Sequence, residues 1–222
     1  MLPEAIENLA EKLRFFPGIG LRSSLKMAID VLQLPQEKFD DLEKSLAEIR
    51  DKVKFCENCG FFAQNGGENT NSDASLDGKI LCEICKNKSR NTLQICLVEK
   101  PTDVITIEKS QVYRGFYHVL NNLISPLDNI FAENTTLSDL VDHRLPELLK
   151  LSQHEIELIL FFKAGFASQA TTAYLQEFLK QKGLDKKVKI TRLAQGLPLY
   201  YNPDTLDQAT TAKALEDRRE VG

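Results

Sequence analysis

Two CxxC pairs constrain this chain more than any other feature. Cys56 and Cys59 form one pair, Cys82 and Cys85 the other, with 22 residues between them. Each pair brings two thiolates to one ion, and two pairs complete a tetrahedron. Four sulfur ligands leave no open position, so the predicted site holds one structural Zn²⁺ per chain and does no chemistry. Such an ion contributes on the order of 10 kcal/mol to ordering a segment with little core of its own. A redox CxxC would open a helix in a thioredoxin-like setting, which is absent. Disulfides are a poor explanation in a reducing compartment. The fifth cysteine, Cys96, lies in the apolar stretch LQICLVE and reads as a buried small hydrophobe. Between the pairs runs FFAQNGGENTNSDASLDGKI, a loop by composition and longer than usual for such a ribbon. Length in a flexible loop costs little extra closure entropy.

The cysteines divide the chain. Before them, Ile6, Leu9, Leu13 and Phe16 recur on one helical face; Leu25, Ala28, Ile29 and Leu32 do so on a second helix. Leu42, Leu46, Ile49 and Val53 repeat the pattern on a third helix opened by Pro35. After them, LQICLVE, YRGFYHVL, EIELILFF and KVKITRLA read as strands, alternating with the helical stretches PTDVITIEKS, RLPELLKL and SQATTAYLQEFLKQKG. That alternation predicts a mainly parallel sheet with helices on both faces. The tail shows a turn at Asn202-Pro203-Asp204 and then a short helix. The expected organisation is a multidomain α+β chain. A helical module over 1–54 precedes a four-cysteine zinc segment over 55–90, an α/β domain over 91–195 and a C-terminal segment over 196–222.

The joint between the first two helices, FFPGIGLRSS, carries more than a turn needs. Gly18 and Gly20 let the backbone approach another surface closely. The second helix starts just after Gly20, and its free N–H groups suit a phosphate. Arg22 and Lys26 lie four apart on one face, as charge-assisted partners for that phosphate. The competing reading is a plain helix–turn–helix stop with both cations solvated. The pattern resembles the helix-hairpin-helix motif, which grips DNA backbone without reading its sequence.

Glu99 falls at the carboxyl end of the first long strand and Asp103 follows one helical turn later. Two carboxylates there could hold Mg²⁺, but phosphate chemistry usually draws further acids from a second strand end. EIELILFF is followed by KAGFASQAT, which has none. There is no Gly-rich loop ending in Lys-Ser/Thr, which excludes a P-loop ATPase. His118, His143 and His154 are scattered and read as ordinary residues. The net charge is −4, so any nucleic-acid contact must use a local patch or several copies together. The absence of a signal layout or a long apolar run makes the cytoplasm the expected compartment.

The ordered set of hairpin, four-cysteine segment, VEKPTDV, YRGFYHVLNNLISPLDNI, RLAQGLP and DTLDQATTAKALEDRR resembles the RecR family of bacterial recombination mediators over essentially the whole chain. The resemblance implies that the α/β unit is a Toprim domain used for docking, not for cleavage. It implies dimers that pair into a ring-like tetramer binding single- and double-stranded DNA. It implies work with RecO, and RecF where present, to load RecA on single-stranded DNA covered by single-strand-binding protein. Arg22 and Lys26 match the family's basic hairpin positions, Glu99 and Asp103 its first Toprim acids in partner contact, and the four cysteines its zinc ligands. The alternative is a Mg²⁺-dependent Toprim nuclease or phosphotransferase using Glu99 and Asp103. KAGFASQAT departs from the family's acid-containing NPT.EGEAT but keeps Thr171, and the segment after GLP is shortened.

Overall fold

The structure is a computed structural model that describes residues 2–65, 79–152, 154–194, 197, 202 and 206–216. It divides into two compact units, one holding the chain up to Lys54 with Asn65, the other holding Phe55–Gln64 and the described residues from 79 onward.

The first unit is helical. Helices α1 (Glu4–Leu13) and α2 (Leu21–Leu32) pack on each other, burying Ala10, Ser24 and Ala28. These small side chains leave the larger apolar residues only partly covered. Phe16, expected on the α1 face, lies past the end of that helix and is 59% exposed. Pro35 precedes α3 (Gln36–Lys52), whose apolar stripe is present as the periodicity predicts, yet α3 buries no residue. Phe39, Leu42, Leu46 and Ile49 are all exposed, so this stripe meets no core within the described residues.

A two-stranded ribbon of β1 (Val53–Phe55) and β2 (Phe62–Gln64) follows α3, and then the short helix α4 (Glu83–Lys86); the second unit starts at Phe55. Next come β3 (Asn91–Val98), α5 (Pro101–Lys109), β4 (Gly115–Val119), α6 (Leu145–Leu151), β5 (Ile156–Phe161), α7 (Phe166–Gln181) and β6 (Val188–Arg192). The strands form one sheet in the order β4-β3-β5-β6, and every pairing is parallel. The expected α/β alternation and parallel sheet are therefore present. Strand periodicity splits the core. Ile95 and Leu97 join Leu158 and Leu160 against Leu175 and Leu179 of α7, while Cys96 and Val98 join Val104 of α5 and Tyr117. Helices thus cover both faces, as parallel strands require.

One irregular element escaped the pattern. Residues Asp139–Arg144 form a π-helix that runs into α6 and buries Leu140, Val141 and Arg144. Thr171 explains why a hydroxyl serves at its place in KAGFASQAT. Its fully buried Oγ1 accepts from the Ile124 N–H at 2.8 Å and donates to the Ala167 carbonyl at 2.7 Å, pinning α7 to the segment after β4. A C-terminal helix, α8 (Gln208–Glu216), is present. Pro203 and Asp204 of the expected turn, most of the loop between the Cys pairs and most of the shortened stretch after GLP lie outside the described residues.

Candidate metal centre and nucleic-acid interface

Cys56, Cys59, Cys82 and Cys85 converge, their sulfurs all within 4.8 Å of one another. Cys59 Sγ lies 3.6 Å from Cys82 Sγ, far beyond a disulfide bond, and all five cysteines are free. A tetrahedral ion with metal–sulfur bonds of about 2.3 Å needs sulfurs about 3.8 Å apart, so the donor set fits a metal ion held by sulfur alone. Hydrogen bonding to the sulfurs of Cys56, Cys82 and Cys85, together with burial, pushes the Cys59 thiol up.

The surrounding backbone builds this cage. The Cys56 N–H donates to the Phe61 carbonyl at 2.6 Å, and the Gly60 N–H donates to the Cys56 carbonyl at 2.8 Å. Gly60 sits at φ +76, where a side chain is strained, and a Cβ there would lie 3.1 Å from Val119 Cβ. The Val119 N–H donates to the Cys59 carbonyl at 2.9 Å, docking the knuckle on β4. Cys96 is buried in the neighbouring core, outside the cluster, and burial pushes its thiol up to about 12.

The corner between α1 and α2 is open. Gly18 adopts φ +84, a conformation that favours glycine, while Gly20 adopts ordinary extended backbone at the N-cap of α2. Local backbone geometry thus explains Gly18 but not Gly20. No side chain caps the first N–H groups of α2, and a Cβ at Gly20 would meet nothing within 4 Å. Arg22 and Lys26 are both exposed on α2.

At the carboxyl edge of the sheet, Glu99 and Asp103 line a cavity of about 420 Å³ with Lys100, Phe161, Phe162, Lys163 and Leu193. Asp103 is already engaged, accepting from the Lys100 N–H at 2.9 Å. Two lysines share the lining with the two acids, and β5 supplies no carboxylate to it.

Two family models match parts of this chain. A family model described as the RecR helix-hairpin-helix matches residues 6–50, and one described as the Toprim domain matches residues 94–194. The Recombination protein RecR of Gloeothece citriformis is 33% identical over 222 residues, covering 100% of this chain and 98% of that protein. The chain belongs to the RecR family. The Recombination protein RecR of Desulforapulum autotrophicum is 33% identical over 219 residues, covering 99% of this chain and 98% of its own length. That of Bifidobacterium longum subsp. infantis is 34% identical over 219 residues, covering 98% and 96%.

The stretch that most resembles the RecR family, YRGFYHVLNNLISPLD, proves to be a packing device. Tyr117 is fully buried, and its hydroxyl donates to Glu108 Oε1. Glu108 Oε2 receives Arg90 Nη2 at 2.5 Å, and Arg90 Nη1 donates to the Gly115 carbonyl at 2.8 Å. His118 is buried as well, with Nε2 3.0 Å from the Thr136 carbonyl. Arg144 Nη1 donates to the Tyr117 carbonyl and lies 3.4 Å from His118 Nδ1. Burial, and then the Arg144 guanidinium, push the His118 pKa down to about 3, so the ring is neutral at physiological pH. Sequence reasoning missed the Arg90–Glu108–Tyr117 and Arg144–His118 groups, because each joins residues from different elements.

Proposed function

We propose that this chain is a recombination mediator in DNA repair, holding single- and double-stranded DNA by the sugar-phosphate backbone and breaking no bond in it. It works with RecO- and RecF-type partners to help load RecA-type recombinase on single-stranded DNA, in the cytoplasm at the nucleoid. The observation that carries this reading is the open Gly18–Gly20 corner with exposed Arg22 and Lys26, inside the segment that matches the RecR helix-hairpin-helix. Main-chain N–H groups and two cations there offer phosphate contacts that are blind to base identity. The four-cysteine cage holds Zn²⁺ as a closed structural ion through Cys56, Cys59, Cys82 and Cys85. Glu99 and Asp103 serve as a partner-contact edge. Their two lysine neighbours, and the lack of an acid after β5, argue against the Mg²⁺ nuclease alternative.

Binding isotherms across a salt series test the hairpin. Arg22→Ala/Lys26→Ala lowers the slope of log affinity against log salt by about 1.4 on single strands and about 1.8 on duplex, two contacts' worth. Gly20→Ser improves the helix cap, so it keeps or raises thermal stability while weakening DNA binding. Unchanged DNA binding in both variants removes the hairpin from the interface.

The exposed apolar stripe of α3 supports assembly into dimers and tetramers, because a second copy of this small module would bury it. Leu46→Glu, at a residue 61% exposed in the single chain, then shifts the solution mass by light scattering toward the monomer. A wild-type monomer at all concentrations rejects the assembly.

A further inference from the structure

The amino edge of the parallel sheet, opposite the Glu99–Asp103 edge, is strongly basic. All four strands run the same way, so the connections entering them reach this one edge. The described residues of those connections, 87–90, 110–114, 152, 154–155 and 182–187, hold six Lys or Arg and only two Asp or Glu, in a chain whose net charge is −4. Arg90 is spent on Glu108, and Lys182 on Asp142 at 2.6 Å. Lys88, Arg114, Lys186 and Lys187 are exposed and make no ion pair among the described residues. Lys180 and Lys189 flank the α7–β6 corner and are also exposed. The negative end of α7 accounts for cations in its last turn, Lys180 and Lys182, but not for three lysines beyond the cap at Lys182.

From this we infer that the amino edge of the Toprim sheet, centred on Lys186, Lys187 and Lys189, is a second nucleic-acid surface that tracks a sugar-phosphate strand. The occupant is a sugar-phosphate strand: lysines are single-point charges on flexible stems, which suits phosphates met one at a time along a backbone. The charge is also spread across several connections and not gathered in one pocket, as a linear polyanion requires. The inference rests on the proposed DNA-binding function but on a surface separate in sequence from the hairpin.

The full chain carrying Lys186→Ala/Lys187→Ala tests it, with labelled single-stranded DNA titrated across a salt series. The expected result is a salt slope lower by about 1.4, two contacts at about 0.7 each, with unchanged solution mass and melting temperature. Lys186→Arg/Lys187→Arg keeps the wild-type slope. Wild-type slope and affinity in the alanine pair overturn the inference, as does loss of binding to a poly-glutamate peptide alone. Comparison with Arg22→Ala/Lys26→Ala separates the two surfaces. If only the hairpin pair loses affinity, the edge falls and the hairpin stands; if only the lysine pair does, the reverse holds.

Discussion

Cys82→Ser is expected to purify with no bound metal, and its four-cysteine segment to lose fixed structure. Elemental analysis is expected to read one zinc per wild-type chain and none in the variant. Cys82 is 1% exposed, its sulfur lies 3.6 Å from Cys59, and it accepts from the Cys85 N–H at 3.4 Å, so it holds the cage in three ways. The hydrophobic cluster around it consists mainly of the cysteines, Ala63 and partly buried neighbours. That is too little apolar area to order the segment without the ion. Structural zinc in such segments contributes roughly 10 kcal/mol or more to the folded state, so removal does not leave a slightly weaker knuckle but an unfolded one. Because the Cys59 carbonyl receives the Val119 N–H, disorder reaches the edge strand β4. Hydrogen exchange should then rise across 55–64 and 79–90, and at β4, while β5 and β6 stay protected. A strong chelator applied to wild type should reproduce the pattern. A variant that keeps both its metal and its exchange protection would show that the cluster is not a metal cage.

The contrast between what periodicity revealed and what it missed has a physical basis. Parallel strands buried on both faces must be apolar runs between helical patterns, so the α/β half was legible from residue order alone. The CxxC spacing fixed the cage, because ligand geometry tolerates few other arrangements. The α3 stripe shows the limit: Leu42, Leu46 and Ile49 announce a helix face, but periodicity cannot say whether the covering surface belongs to the same chain. Gly18 and Gly20 looked equivalent in sequence, yet only Gly18 takes a left-handed conformation. The basic amino edge was hidden for another reason. Its lysines are distributed over connections up to 100 residues apart, and only the common direction of the strands gathers them. The polar group at Glu108 was invisible in the same way, since α5, β4 and the approach to β3 each supply one member.

Glu108→Ala is expected to cost about 2 to 3 kcal/mol of unfolding free energy in a denaturant titration. The carboxylate closes a three-way contact. It takes Arg90 on one oxygen and Tyr117 on the other, and Arg90 is also 5.9 Å from the centre of the Tyr117 ring. Arg90's side chain is only 9% exposed, so truncating Glu108 strands a buried guanidinium and an orphaned phenol. Breaking such a pair from one side typically costs about 3 to 5 kcal/mol. Glu108 itself is 32% exposed, and water entering at that side reduces the loss. Arg90→Met/Glu108→Leu should recover much of it, because no charge is left unpaired. The pH dependence has a definite sign. Burial pushes the Glu108 carboxyl up, but hydrogen bonds from Arg90 and Tyr117 outweigh it and hold the carboxyl below the usual range. A group depressed in the folded state stabilises above its unfolded pKa, about 4.3, and loses that contribution as pH falls through the folded value. The wild-type advantage over Glu108→Ala should therefore be full at pH 6 to 7 and shrink below pH 4. An advantage that stays constant down to that acidity would mean the carboxylate charge is not what holds Arg90 in place.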